Sequence, residues 1–291
     1  MALLSGPALV VFVTFVIFPV ILAAYFGFFR WRGYGVPTDF IGFDNYRWIL
    51  GDPYFRAALA HNAFVVVMSI IIQGPVALGL ALLLNRKMRG RSLIRVLLFV
   101  PYVLSEVIVG TGWRLILQPA GAFSAILEAL GLDKLAHWDW LGSETIAPWT
   151  MMMILTWKYI GFAVILFLAG MQGIPEELYE AGAVDGASYW RMQFSITLPL
   201  LAPTVRIWGF LTIIGSLQLF DLIYIMWGPV AKFTGVSTMA TYMVYEGRES
   251  NAYGYGNATA VILFIVTFTC ALLYQRFVLR RDTDGALTGG R

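Results

Sequence analysis

Six long apolar runs divide the chain and are separated by shorter polar segments. They cover residues 3–29, 63–84, 93–117, 149–170, 201–226 and 258–279. Each run is close to the roughly 20 residues that an α-helix needs to cross about 30 Å of hydrocarbon. A helix also satisfies its backbone polar groups internally, as a chain in lipid must. The pattern therefore predicts an all-α integral membrane protein, with about six transmembrane helices in one domain over residues 1–291.

Basic residues in the loops predict the orientation of these helices. Residues 85–91 form a dense cationic loop between the second and third runs, and Arg280 and Arg281 follow the last run. Because short cytoplasmic loops carry an excess of Lys and Arg, we expect both segments, and both termini, in the cytoplasm. Arg30 and Arg32 favour the reverse locally. The first run lacks a basic start and exceeds the length of a signal-peptide core, so we expect a true span.

Composition narrows the class of protein further. The chain is 59% hydrophobic and 13% charged, whereas soluble proteins carry about 25% charged residues. The net charge of +3 comes mostly from loops beside apolar runs, where basic residues set topology, so we do not expect nucleic-acid binding. Cys270 is the only cysteine, and His61 and His137 stand far apart. We therefore expect no disulfide, no metal site and no catalytic cluster.

One segment, residues 172–203, is too polar to cross the membrane. Its acidic residues are Glu176, Glu177, Glu180 and Asp185. Pro175 suits the first position of a helix, where its missing N–H costs nothing, and the two glutamates that follow favour the positive end of the helix dipole. A short cytoplasmic helix is therefore predicted from Pro175.

The predicted helix has one face suited to close contact with another surface. Gly186 permits a left-handed turn after it, and Ser188 is a good N-cap for a second short helix before Pro199 and Pro203. The docking face combines helical spacing with small central side chains at Leu178, Ala181, Gly182 and Asp185.

A further short amphipathic helix is expected at residues 122–130, on the membrane surface.

The same segment resembles a known family. Glu180-Ala181-Gly182, then Gly186, then Ile196-Thr197-Leu198-Pro199 match the EAA signature of binding-protein-dependent ABC importer permeases, E-A-A-x3-G-x9-I-x-L-P. Only Gly182 departs from it, and a glycine there lowers local helix stability by up to about 1 kcal/mol.

Flanking motifs resemble the sugar and glycerol-phosphate branch of these permeases, which has the type I importer fold. They are Phe43-Asp44-Asn45-Tyr46, Asn85-Arg86 with Arg89-Gly90, Leu98-Phe99-Val100-Pro101, Ile174-Pro175-Glu176-Glu177-Leu178-Tyr179, Asp185-Gly186-Ala187 and Phe220-Asp221-Leu222-Ile223-Tyr224. Trp227-Gly228-Pro229 replaces the glycine-rich turn that often follows in that branch. The resemblance covers nearly the whole chain.

The resemblance implies a non-catalytic permease subunit in a bacterial inner membrane. In that family the EAA segment is the coupling helix, so Glu180, Ala181, Gly182 and Gly186 are assigned to contact with an ATP-binding subunit. The chain has no GxxxxGK[ST] sequence, so ATP and Mg²⁺ are expected on two partner ATPase subunits, and no cofactor on this chain. A second permease subunit, most readily in a heterodimer, and an extracytoplasmic sugar-binding protein complete the expected assembly.

Polar and aromatic residues in or near the apolar runs are candidates for the substrate pathway, since sugars suit amides, carboxylates and aromatic faces. Interhelical hydrogen bonding or interface anchoring explains each of them as well. Glu106, inside the third run, is expected either to pair with another buried group such as Arg114 or to serve translocation. The pathway candidates are Trp157, Tyr159, Gln218, Asp221 and Asn257.

Two alternatives come from other classes. A secondary transporter would show repeated halves and broken spans near mid-membrane, and it would leave the EAA signature unexplained. A membrane enzyme would need a clustered nucleophile, metal or acid–base set. For an importer, an oligosaccharide is the favoured substrate, with a polyol or glycerol phosphate left open.

Overall fold

The computed structural model describes residues 2–86, 88–229 and 235–279, with side chains from residue 6 onward. Within them, five helices are long and apolar enough to cross a membrane, and one bent helix pair gives a sixth crossing when it is counted as a single span. This confirms the predicted all-α membrane fold. Lys87, Arg280 and Arg281, on which part of the predicted orientation depends, lie outside the described residues.

The helices have the following bounds in chain order: α1 Gly6–Phe26, α2 Asp44–Gly51, α3 Pro53–Asn85, α4 Arg91–Val103, α5 Glu106–Leu117, α6 Ala122–Ala129, α7 Asp133–Ala136, α8 Ala147–Gln172, α9 Glu176–Val184, α10 Tyr189–Leu217, α11 Asp221–Trp227, α12 Met239–Val244 and α13 Tyr253–Leu279. The short helix predicted at residues 122–130 is α6. The second crossing, α3, begins well before residue 63 because Asp52 caps it, accepting a hydrogen bond from the Tyr54 N–H (2.7 Å).

Apolar side chains pack in three clusters that share α3. One joins α3 to α5, α8 and α11, a second joins it to α8 and α10, and a third joins it to α2, α10, α12 and α13. In the third cluster the Tyr242 hydroxyl donates to Asp52 (2.6 Å). Burial raises the pKa of Tyr242 above its ordinary value, so the hydroxyl stays a donor. In contrast, the apolar stretch of α1 has no buried residue.

Three crossings contain prolines that the helix accommodates by a wide turn. A proline cannot donate to the carbonyl four residues back, and its ring crowds that carbonyl. In each case the turn just before the proline closes through an N–H that reaches the carbonyl five residues back, which makes room for the ring. The three pairs are Val13–Ile17 with Pro19, Ser69–Gln73 with Pro75, and Gln193–Thr197 with Pro199.

The third crossing is not the continuous helix that residues 93–117 predict. It consists of α4 and α5, which meet at an angle of 95°. Leu104 and Ser105 are extended at the junction, and the Ser105 hydroxyl caps α5 by accepting from the Ile108 N–H (3.3 Å). Pro101 lies inside α4 rather than at the break.

The fifth crossing also differs from its prediction over residues 201–226. Its helix ends at Leu217, and α11 is a separate short helix. The buried Asn62 amide on α3 stabilises this end, because its Nδ2 donates to the Ser216 carbonyl (2.7 Å) and its Oδ1 accepts from the Met239 N–H (2.9 Å). At the other end, α10 begins at Tyr189 after a Ser188 cap, so the second short helix predicted there is the start of the crossing itself.

Candidate functional site: a coupling helix and an intramembrane cavity

The acidic segment between the fourth and fifth crossings folds into the short helix α9. Pro175 occupies its N-cap position, one residue earlier than predicted, and Glu176 and Glu177 lie in its first turn. Carboxylates there are stabilised by the unpaired N–H groups and the positive end of the helix dipole.

The C-terminus of α9 requires Gly186. The Gly186 N–H donates to the Ala183 carbonyl (3.1 Å) and the Ala187 N–H donates to the Gly182 carbonyl (2.9 Å). This pair of bonds is a Schellman motif, which places its glycine in the left-handed region. Gly186 has φ +72°, and a Cβ atom there would meet no atom within 4 Å. The backbone conformation, rather than lack of space, therefore favours glycine.

The two sides of α9 differ in their surroundings. On the inner side, the Tyr179 hydroxyl is hydrogen-bonded to the Thr197 hydroxyl (2.9 Å), and Gly182 lies against Met192 and Ile196 of the next helix. Glu180 and Ala181 are exposed. The structure therefore places Gly182 on the packed side of α9 and leaves Glu180 and Ala181 available to another surface.

The cationic loop contacts this segment. The Arg86 guanidinium lies over the ring of Tyr189, 3.6 Å from its centroid, which is within range for a cation–π interaction. Tyr189 is the first residue of α10, directly after its Ser188 cap. The contact joins the end of the second crossing to the start of the fifth.

A cavity of about 280 Å³ lies among α3, α4, α8 and α10. Ser69 and Tyr159, two of its lining residues, lie near the centres of α3 and α8, which places the cavity in the middle of the crossing helices. Its volume is near the lower end of the range for small-molecule sites, about 300 Å³.

The cavity wall is mostly apolar, with hydroxyl and amide groups set among aromatic and aliphatic side chains, and none of its lining residues carries a formal charge. The lining residues are Val65, Ser69, Gln73, Tyr102, Leu155, Tyr159, Phe162, Trp208, Leu211, Thr212, Gly215, Ser216 and Leu219. Hydroxyls and amides can exchange hydrogen bonds with a polar solute, and aromatic faces can pack on its C–H groups. Such a wall suits a neutral, hydroxyl-rich molecule.

Of the five pathway candidates, only Tyr159 lines the cavity. Trp157 packs edge-to-face on Trp113, and the Asn257 amide donates to the Tyr253 carbonyl of its own helix (2.8 Å). Gln218 follows the last residue of α10, and Asp221 begins α11; both are exposed. A pathway role for these four residues stays a prediction.

Sequence reasoning missed Gln73, Tyr102 and Trp208 in the cavity wall. Gln73 had a visible signal, because an amide in the middle of an apolar run needs a hydrogen-bond partner or a polar cavity. Tyr102 and Trp208 had none, since aromatic residues are equally common in contact with lipid or core.

Glu106 pairs with a residue other than the expected Arg114. Its Oε1 lies 3.4 Å from the Nζ of Lys158 and accepts a hydrogen bond from the Tyr159 hydroxyl (2.7 Å). Arg114 lies eight positions further along α5, about 12 Å along the helix axis, which is too far for a direct pair. Lys158 in the fourth apolar run was a second missed signal.

A bundle of crossing helices around an uncharged cavity at mid-depth, with an acidic helix outside the crossings, fits a membrane permease subunit. Residues 73–282 match the family described as binding-protein-dependent transport system inner membrane component. The chain belongs to that family.

Curated relatives align over nearly the whole chain. The diacetylchitobiose uptake system permease protein of Streptomyces coelicolor is 32% identical, over 96% of this chain and 82% of the relative. The trehalose/maltose transport system permease protein of Thermococcus litoralis is 30% identical, over 95% and 92%. Among solved structures, a chain of a bacterial ABC transporter that imports the acidic polysaccharide alginate superposes with a TM-score of 0.82, at 24% identity, over 94% of this chain and 93% of that one. At this identity, the superposition shows a shared fold.

Proposed function

We propose that this chain is a permease subunit of an ATP-driven ABC importer and forms half of the pathway for a neutral carbohydrate, preferably an oligosaccharide. The observation that carries the proposal is the uncharged cavity at mid-depth, whose wall includes hydroxyl, amide and aromatic groups. Family membership and the names of the relatives, which include diacetylchitobiose and trehalose/maltose permeases, support it. The wall offers no cation for a carboxylate-rich substrate such as alginate.

Energy comes from partners in this proposal. Two ATP-binding subunits hold ATP and Mg²⁺ on the cytoplasmic side, and an extracytoplasmic binding protein delivers the sugar to this subunit and to a second, related permease subunit. The chain resides in the bacterial inner membrane with both termini in the cytoplasm. Closure of the ATPases moves the crossing helices, so that the cavity faces each side in turn.

The exposed side of α9 is the proposed contact with an ATPase. Glu180 and Ala181 touch the partner directly, whereas Gly182 and Gly186 support that face by packing and by the turn that ends α9. In a Cys270→Ser background, Ala181→Cys carrying a photoactivatable thiol-specific label should crosslink to the ATP-binding subunit. Ala129→Cys, exposed on α6, is the matched control. Equal yields from both positions would contradict the assignment.

Uptake by the full complex in proteoliposomes tests the function. We expect ATP-dependent accumulation of a neutral oligosaccharide, and little of an acidic one, when the binding protein is present. Uptake that proceeds without the ATP-binding subunits would favour the secondary transporter.

The cavity has its own test. Replacing Gln73 by Leu removes an amide from the wall at similar volume, and losing one hydrogen bond of about 1 kcal/mol should raise the apparent KM for uptake about fivefold. Gln275→Leu, exposed at the end of α13, should leave the KM unchanged. An unchanged KM in Gln73→Leu would move the substrate path away from this cavity.

A further inference from the structure

Lys158 is the only charged side chain that is buried among the described residues, with 3% of the side chain exposed. A buried ammonium is costly unless it is paired and hydrogen-bonded. Lys158 meets both conditions, because its Nζ donates to the Leu104 carbonyl (2.7 Å) and lies 3.4 Å from the Glu106 carboxylate.

Both partners of Lys158 lie at the break in the third crossing. Leu104 follows the end of α4, and its extended backbone directs its carbonyl away from the helix ladder, while Glu106 is the first residue of α5. A freed backbone carbonyl inside a membrane needs a donor, and Lys158 supplies it. One side chain of α8 thus connects the two halves of the 95° bend.

The same carboxylate reaches the cavity. Glu106 Oε1 also accepts the Tyr159 hydroxyl (2.7 Å), and Tyr159 lines the cavity together with Tyr102 of α4. The other carboxylate oxygen, Oε2, is buried and has no hydrogen-bond partner. The cavity wall and the bend therefore share one acceptor atom.

We propose that Lys158 is a positioning residue for transport. With Glu106 and Leu104 it forms a latch that holds the bend between α4 and α5, and the Tyr159–Glu106 bond links that latch to the cavity. A sugar hydroxyl that takes over the Tyr159 hydroxyl weakens the bond to Glu106, and the bend responds. The link to sugar rests on the proposed function; the latch itself does not.

A double variant separates a latch from a merely structural ion pair. Lys158→Met alone leaves the Glu106 carboxylate without its cation and the Leu104 carbonyl without its donor, so the complex can fail to assemble. Glu106→Gln with Lys158→Met removes both charges, so no unpaired charge stays buried, although the Leu104 carbonyl still loses its donor. If the pair only stabilises the fold, the assembled double variant is less stable but keeps the bend and the coupling of the parent. If it is a latch, the double variant assembles but has lost control of the bend.

The bend is measured by spin labels at Val96→Cys and Leu115→Cys, exposed positions on α4 and α5, in a Cys270→Ser complex reconstituted with its partner subunits. We expect a single narrow distance distribution in the parent and a broad or shifted one in the double variant. Sugar-stimulated ATP hydrolysis should fall at least about fivefold, the low end for coupling between two sites. Lys134→Gln, an exposed lysine, should match the parent in both measurements.

Tyr159→Phe provides a second test, since it removes one hydroxyl and no charge. The bend should keep the parent distribution without sugar and lose its response to added sugar. A narrow, parent-like distribution in the double variant, or a normal sugar response in Tyr159→Phe, overturns the latch. Neither result counts against the proposed importer function. A parent complex without ATP-dependent uptake would instead overturn the proposed function, while the bend measurement without sugar would still decide the latch.

Discussion

Replacing Gly186 by valine should weaken the coupling through α9, so that sugar-stimulated ATP hydrolysis and uptake fall together. Gly186 has φ +72° and no atom near its Cβ position, so the cost is confined to the backbone. An L-residue in the left-handed region costs about 1–2 kcal/mol, and a β-branched one lies at the upper end. Since 1.4 kcal/mol is a factor of ten, the ratio of the correctly terminated form of α9 to other forms should fall about ten- to thirtyfold.

The structure offers a closely matched control at Gly131. It ends α6 with φ +73°, no atom within 4 Å of its Cβ position, and the same two Schellman hydrogen bonds. Gly131→Val therefore imposes the same backbone strain on the opposite side of the membrane in the proposed topology. Gly186→Asn completes the set, because asparagine tolerates the left-handed region better than other residues with a Cβ.

The assay is sugar-stimulated ATP hydrolysis and uptake in proteoliposomes, with the amount of assembled complex measured in parallel. We expect Gly186→Val to reduce both rates, by at most about thirtyfold, in line with the smaller competent population. Gly186→Asn should lie near the parent, and Gly131→Val should affect neither rate. Equal losses at Gly131 and Gly186, or parent rates in Gly186→Val, would refute the link between the α9 turn and coupling.

Three further substitutions test the packing around the site, each with a control. Gly161→Ala should lower the melting temperature of the complex, because its Cβ would overlap the Leu98 carbonyl. A Cβ at Gly79 would meet no atom within 4 Å, so Gly79→Ala should raise the melting temperature slightly through its higher helix propensity. Asn62→Leu leaves the Ser216 carbonyl and Met239 N–H without their partner and should destabilise the protein by about 3 kcal/mol in denaturant unfolding, with the exposed Asn85→Leu as its control. Arg86→Gln removes a cation–π contact worth about 0.5–1 kcal/mol, which corresponds to about a two- to fivefold loss of sugar-stimulated ATP hydrolysis. Arg89→Gln should leave this rate unchanged.

The crossing helices and the coupling helix could be predicted because their signals are local. The length of an apolar run relates directly to the thickness of the bilayer. Gly186 and Ser188 act through bonds to residues a few positions away, so their roles as helix terminator and helix cap are visible in the sequence.

The two interrupted crossings could not be predicted in this way. The apolar runs over residues 93–117 and 201–226 indicate that these segments lie in lipid, but they do not indicate where the helix bends or ends. The groups that stabilise the breaks come from far along the chain: Lys158 is 54 positions from Leu104, and Asn62 is 154 positions from Ser216. Prolines did not indicate where the crossings are interrupted, because Pro101 lies inside a helix and Pro199 follows a wide turn.

The pathway residues were the least predictable part of the site. A polar side chain in an apolar run signals that a partner is needed, without saying which one. Asn257 finds its partner on its own helix, and Glu106 finds one on α8. Only the packing of four helices decides that Gln73 and Tyr159 line one cavity while Gln218 lies outside it.

Irregular backbone and the cavity coincide in this protein. Ser69 and Gln73 belong to the wide turn before Pro75, Tyr102 lies just before the bend, and Ser216 lies in the last turn of α10. Non-helical or distorted backbone at membrane depth is tolerated where it is buried in protein or lines a cavity. These three departures from regular helix therefore carry functional information of their own: each lies beside the cavity, where the movement of a crossing helix would alter the surface that a sugar meets.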